Sequence, residues 1–289
     1  MAQAAAELAG ITHRQVEANG VRLHVAEMGA GPLVLLLHGF PETWYAWRHV
    51  MPRLAAAGFR AAAPDMRGYG RSSRPTDVAA YTVDALAGDV AGLIRGLGEE
   101  RAFVVGHDWG GMAAWHAADE HADLIPRLVI VNAPHPRPFR RELKHADQAL
   151  RSSYAACFQL PWLPEAVLKA GHFALLARVF RTEPARPGAY TDADVDEYRR
   201  AWQQPGALTA MLNYYRAARR DHRRLGTIRQ PTLVVWGDRD PHLLPRVLDG
   251  LEQWVPNVRV EHLPGASHWV PADEPERLST LIAGFLHHE

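Results

Sequence analysis

Short apolar runs, each followed at once by glycine or polar residues, constrain this chain more than any other feature. Leu33 to His38 and Ala102 to His107 are apolar up to a terminal histidine, and Leu128 to Val131 is apolar throughout. None alternates in polarity as a strand facing water would, so each suits a strand buried on both faces of a parallel sheet. Between them lie stretches with helical spacing, Val83 to Leu97 and Trp109 to His121. This alternation is the βαβ signature and predicts an α/β chain with a mostly parallel sheet flanked by helices. Val21 to Glu27 alternates like a half-exposed strand, and Arg60 to Ala63 reads as a strand ending at Pro64. Trp44, Trp47, Met51 and Leu54 recur at helical spacing.

The pattern changes after Asn132. From Pro136 to His222 no strand is legible, only helical stretches broken by Pro161, Pro164, Pro184 and Pro187. Strand character returns with Thr232 to Trp236, then a helix near Leu243 to Leu251, a strand from Arg259 to Leu263 and a helix from Pro275 to His287. Residues 136–222 therefore read as a helical lid inserted after the sixth strand, and residues 1–135 and 223–289 as one core domain. A lid in that place would cover the carboxyl ends of the strands, where ligands bind in such sheets.

A length of 289 residues accommodates one α/β domain with such an insertion, and 47% hydrophobic residues supply its core. The 32 basic and 32 acidic residues balance, which leaves no electrostatic footprint for nucleic acid or an anionic membrane. The local run Arg219-Arg220-Asp221-His222-Arg223-Arg224 reads as a solvated surface. Cys157 is the only cysteine, so an intrachain disulfide is impossible and a reducing compartment is expected. The stretch Met1 to Gly10 lacks a signal-peptide pattern, and the run Leu33 to Leu37 is far too short to span a bilayer. A cytoplasmic protein is expected, with no nucleic-acid or membrane partner and with a homodimer allowed.

One turn carries chemistry. Gly106-His107-Asp108-Trp109-Gly110-Gly111 joins an expected strand to an expected helix. Glycine-x-nucleophile-x-glycine makes a turn so tight that side chains at the glycine positions would clash. It exposes Asp108 at a helix N-terminus, where the helix dipole favours its charge. Three further segments fall where a hydrolase of this build needs them. His38-Gly39-Phe40-Pro41 follows the third strand, and the Phe40 and Trp109 amides are placed to form an oxyanion hole. Gly237-Asp238-Arg239-Asp240 follows a late strand, where the acid belongs, and Ser267-His268 follows the last strand, where the histidine belongs. Asp238 reads as a turn residue bonding its own backbone, which leaves Asp240 as the acid. His107 reads as a structural hydrogen-bonding residue. The histidines show no metal-ligand spacing, and neither a metal nor a cofactor is expected.

These segments resemble the epoxide-hydrolase branch of the α/β-hydrolases. The likeness rests on His38 to Arg48, on Asp65-Met66-Arg67-Gly68-Tyr69-Gly70-Arg71-Ser72-Ser73 and on Gly106 to Met112. It is dense from Gly31 to Pro136, moderate from Gln230 onward and thin in the lid. The resemblance implies an α/β-hydrolase fold and two lid tyrosines that hydrogen-bond an epoxide oxygen, at Tyr154 and Tyr215. Helical phasing agrees, because Leu208, Met211, Leu212 and Tyr215 share a face that excludes Tyr214. Leu150, Tyr154, Cys157 and Phe158 are expected to share another. Some relatives carry the acid after the sixth strand, where this chain has Asn132, which has no carboxylate.

The implied reaction opens a small apolar epoxide with water to a vicinal diol, through an ester on Asp108 that His268 and Asp240 help to hydrolyse. Phe40, Trp109, Tyr154 and Tyr215 would contact the substrate. Trp162, Leu163, Trp202 and Met211 give the lid an apolar character that suits such a ligand. Haloalkane or haloacid dehalogenation by the same nucleophile is the alternative. The arginines that fluoroacetate dehalogenases carry after the nucleophile fall at Trp109 and Met112, and their halide-holding tryptophan and histidine at Ala155 and Ala156, which favours the epoxide reading. A non-catalytic small-molecule binder is the remote alternative, and it has no need of an intact triad.

Overall fold

The structure is a computed structural model that describes residues 8–220, 223 and 225–287. Residues 1–7, and Asp221, His222 and Arg224 of the basic run, lie outside the described residues, as does the expected lid boundary at 222.

The strands are β1 (Thr12–Ala18), β2 (Val21–Met28), β3 (Leu33–Leu37), β4 (Arg60–Pro64), β5 (Phe103–His107), β6 (Leu128–Val131), β7 (Thr232–Gly237) and β8 (Val258–Leu263). They form one sheet in the order β1-β2-β4-β3-β5-β6-β7-β8. β1 and β2 pair antiparallel, as do β2 and β4, and every later pairing is parallel. Every residue of β3, β6 and β7 is buried, which explains their unbroken apolar sequences: helices cover both faces. β1 lies at the sheet's edge with most of its residues exposed, so it lacks a core-strand pattern and the apolar runs did not reveal it.

The helices are α1 (Met51–Ala56), α2 (Val83–Gly96), α3 (Trp109–Glu120), α4 (Pro136–Glu142), α5 (Ala146–Arg151), α6 (Tyr154–Cys157), α7 (Leu163–Thr182), α8 (Asp192–Trp202), α9 (Ala207–Ala218), α10 (Val270–Asp273) and α11 (Pro275–His287). Helices α4 to α9 are the insertion between β6 and β7. On one sheet face, Val34, Val105 and Val235 pack with Leu54 of α1 and Ile282 of α11. On the other, Leu35, Val104 and Val234 join Ala113 of α3 in an apolar cluster that continues into Phe180 of α7 and Met211 of α9. The inserted helices are thus anchored by the same burial that holds the sheet. Among the described residues, no helix is long and apolar enough to cross a membrane.

Two expected helices differ. Trp44 to Trp47 is a short 3-10 turn that precedes α1, with Pro52 in the first turn of α1. The stretch from Leu243 to Leu251 holds only 3-10 turns, Pro245–Leu248 and Leu251–Gln253. There the Asp240 carboxylate takes the His242 and Leu243 amides, and Gln148 takes that of Leu244. These bonds satisfy the backbone without a helix.

Candidate active site

Parallel register brings the carboxyl ends of the central strands together. Leu37 of β3 lies beside Gly106 of β5, His107 beside Val131 of β6, and Val131 beside Val235 of β7. The segments bearing Phe40, Asp108, Asn132, Asp240 and His268 therefore leave the sheet at one edge.

Asp108 stands between β5 and α3 with φ 50 and ψ −119, a backbone state that is costly for a non-glycine residue. The packing beneath it maintains that state. A Cβ on Gly106 would fall 2.4 Å from the Gly110 carbonyl oxygen, and one on Gly110 would fall 2.3 Å from that of Leu37. Asp108 occupies the N-cap position of α3 but makes no capping bond. Its Oδ1 instead accepts the Phe40 amide at 2.7 Å, and its Oδ2 lies 3.7 Å from His268 Nε2. The amide of Trp109, the second donor expected from the sequence, makes no hydrogen bond to this carboxylate among the described residues.

His268 Nδ1 meets Asp240 Oδ2 at 2.7 Å. Asp240 is buried, and burial alone would raise its pKa. The His268 charge and hydrogen bond, with the Asn132 amide, reverse that and hold it below the usual carboxylate range. Asp238 does not bond its own backbone through its side chain as expected; its carboxylate meets His262 Nδ1 across to β8 at 2.6 Å. His107 packs beside His268, with ring centroids 4.9 Å apart. Its Nδ1 faces Glu42 at 3.1 Å and its Nε2 faces the His268 carbonyl at 2.9 Å. Two acceptors on two ring nitrogens suit an imidazolium. Burial opposes that charge, but Glu42 and then Asp108 outweigh it, and the His107 pKa is raised. Glu42 also accepts the Tyr190 hydroxyl at 3.1 Å, which ties the insertion to this pair.

Asp108, His268, Trp109, Tyr154 and Tyr215 line one cavity of about 730 Å³. Apolar side chains including Val83, Met112, Phe139, Leu143 and Leu160 form much of its wall. Phe40 is not among the lining residues; its ring stands edge-on to Tyr215, with centroids 5.5 Å apart. The Tyr154 and Tyr215 rings lie 6.0 Å apart. Burial raises both phenol pKa values, and the Asp108 charge adds to this. Both phenols stay protonated at neutral pH and can donate. Tyr214 turns away and donates to the Arg67 carbonyl at 2.6 Å.

One other lid expectation, the shared face of Leu150, Tyr154, Cys157 and Phe158, needs correction. Leu150 ends up 74% exposed and Cys157 is exposed, because a break at Ser152 and Ser153 separates α5 from α6 and changes the phase. Trp162 is 74% exposed, while Trp202 is buried and donates to the Pro41 carbonyl. Neither these two nor Leu163 and Met211 are among the lining residues. Sequence reasoning also missed His242, which lines the cavity, and Glu183, which holds it at 2.9 Å. No short motif marks that pair, since 59 residues separate its members.

The alpha/beta hydrolase fold family model matches residues 32–275. The AB hydrolase superfamily protein YfhM of Bacillus subtilis (strain 168) is 39% identical over 97% of this chain and 99% of its own length. Epoxide hydrolase 3 of Mus musculus is 36% identical over 94% of this chain and 75% of its own. The chain belongs to the epoxide-hydrolase branch of the α/β-hydrolase family. Among solved structures, a Bacillus megaterium epoxide hydrolase in complex with an inhibitor superposes with a TM-score of 0.87 at 32% identity, covering 95% of this chain and 100% of that one.

Proposed function

We propose that this member of the branch opens apolar epoxides to vicinal diols through a covalent ester on Asp108. The observation that carries the reading is the content of one cavity: a carboxylate set between the Phe40 amide and His268, together with two protonated phenols. Asp108 attacks a ring carbon while Tyr154 and Tyr215 donate to the leaving oxygen. His268, oriented by Asp240, then deprotonates water for attack on the ester carbonyl. Charge builds on the carboxyl oxygen only in this second step, and the Phe40 amide is already aimed at it, with the Trp109 amide as second donor. Residues 136–222 act as a lid that keeps bulk water from the ester. The test is a panel of apolar epoxides assayed for diol. Turnover that disappears in Asp108→Ala supports the reading, and absence of turnover by the parent protein across the panel overturns it.

A further inference from the structure

The proposed reaction makes a proton at one end of the site and uses one at the other. Ester formation breaks a ring C–O bond, forms a bond from carbon to an Asp108 oxygen, and leaves the ring oxygen to take a phenol proton. Hydrolysis then adds water across the acyl bond. The water oxygen stays on the Asp108 carboxyl, and the departing alkoxide takes a proton through His268. The regenerated carboxyl sheds its own proton as it returns to carboxylate. Epoxide and water thus become diol with no net change, provided one proton passes from the Asp108 and His268 end back to the tyrosines.

His242 stands between those ends. Its ring lies 5.5 Å from that of His268 and 5.6 Å from that of Tyr154, both edge-on, and it lines the cavity. Its Nε2 is held at 2.9 Å by Glu183, the residue that follows α7, and its amide is fixed by Asp240 at 2.7 Å. Glu183 also accepts the Trp269 indole at 3.3 Å, so one carboxylate ties both triad loops to the insertion. On the reading given above, we infer that His242, paired with Glu183, carries the returning proton from His268 to Tyr154. The charged and titratable groups around it are Glu183 after α7, Asp240 after β7, Asp108 at the turn, His268 after β8 and Tyr154 on α6. Burial disfavours an imidazolium there, but Glu183, Asp240 and Asp108 outweigh it and raise the pKa of His242.

The experiment compares the parent with His242→Gln and Glu183→Gln on an epoxide that the parent turns over. His242→Gln should lower kcat by roughly one to two powers of ten. It should also build up a tyrosinate absorbance during turnover and recover rate in proportion to added imidazole buffer, to which the parent is indifferent. Glu183→Gln should move the alkaline limb of kcat to lower pH, because His242 then loses its proton sooner. A His242→Gln protein with the parent's rate, or with a slow rate that imidazole does not restore, overturns the inference, and so does an unmoved limb in Glu183→Gln. Diol formation by the parent tests the epoxide reading separately. Its absence sinks that reading, whereas a working parent with an unaffected His242→Gln sinks only the relay.

Discussion

Asn132 Nδ2 donates to Asp240 Oδ2 at 2.8 Å, the same oxygen that meets His268 Nδ1 at 2.7 Å. Asn132 Oδ1 also accepts the Gly237 amide at 2.8 Å, so the side chain links the end of β6 to the acid loop. An aspartate here would set two carboxylates against each other; the neutral amide supports the charge on Asp240.

Asn132→Gly should therefore weaken the support of Asp240 without straining the backbone, because Asn132 has φ 40 and glycine adopts that value freely. Losing the hydrogen bond to the charged carboxylate costs about 1.5–3 kcal/mol, so kcat should fall by roughly one to two powers of ten. Stability should change in a defined pH window. The folded pKa of Asp240 is depressed, so its contribution is present above the unfolded carboxylate range and lost as pH falls through the folded value. In Asn132→Gly the folded pKa moves closer to the unfolded value, so that loss should be smaller and complete at higher pH, measured by unfolding midpoints across an acid series. An unchanged rate and an unchanged acid profile would contradict this role.

The lid tyrosines should separate by function. Tyr154→Phe and Tyr215→Phe should each slow ester formation by roughly one to three powers of ten, with small changes in unfolding midpoint. Tyr214→Phe should keep the rate of chemistry but cost about 1 kcal/mol of stability, since it strips the Arg67 carbonyl of a buried partner. Stopped-flow ester formation and thermal unfolding check both statements. Damage to chemistry from Tyr214→Phe alone would reverse the assignment.

His135 should make the fold sensitive to acid. Burial, then the nearby Arg137 and His116, push its pKa down to about 3. Above about pH 6.5 it is neutral whether folded or unfolded and carries no penalty. As pH falls from there toward 3, the unfolded chain takes a proton that the fold refuses, and stability declines. His135 Nδ1 caps α4 by accepting the Arg137 amide, a bond that asparagine can replace. Unfolding midpoints of His135→Asn should fall less steeply than the parent's between pH 6.5 and 4.5. Equal slopes would show that another group governs the acid limb.

Burial on both faces writes itself into sequence as unbroken apolar runs, which is why β3, β5, β6 and β7 and the helical insertion after β6 were legible. The tight turn at Asp108 was legible because its glycines answer to backbone clashes within a few residues. Edge strand β1 left no such mark. The short turns after Asp240 were hidden too, because side chains from distant segments satisfy their backbone. Helical phase told Tyr215 from Tyr214 inside the regular helix α9, but failed for Leu150 and Cys157 across a break between helices. His242, Glu183 and the support that Asn132 gives Asp240 depend on contacts between distant parts of the chain, and periodicity carries no information about those.

The ester on Asp108 is the central claim, and one turnover in heavy-oxygen water tests it most directly. With enzyme in excess over an epoxide, the oxygen added to the diol should come from the Asp108 carboxylate. The first diol should then be almost unlabelled, with the heavy oxygen recovered in the peptide that bears Asp108. His268→Gln should instead retain the substrate's mass on that peptide, because only the second step has lost its base. A first-turnover diol carrying the full label, with none in Asp108, would mean that water attacks the epoxide directly and would contradict the account.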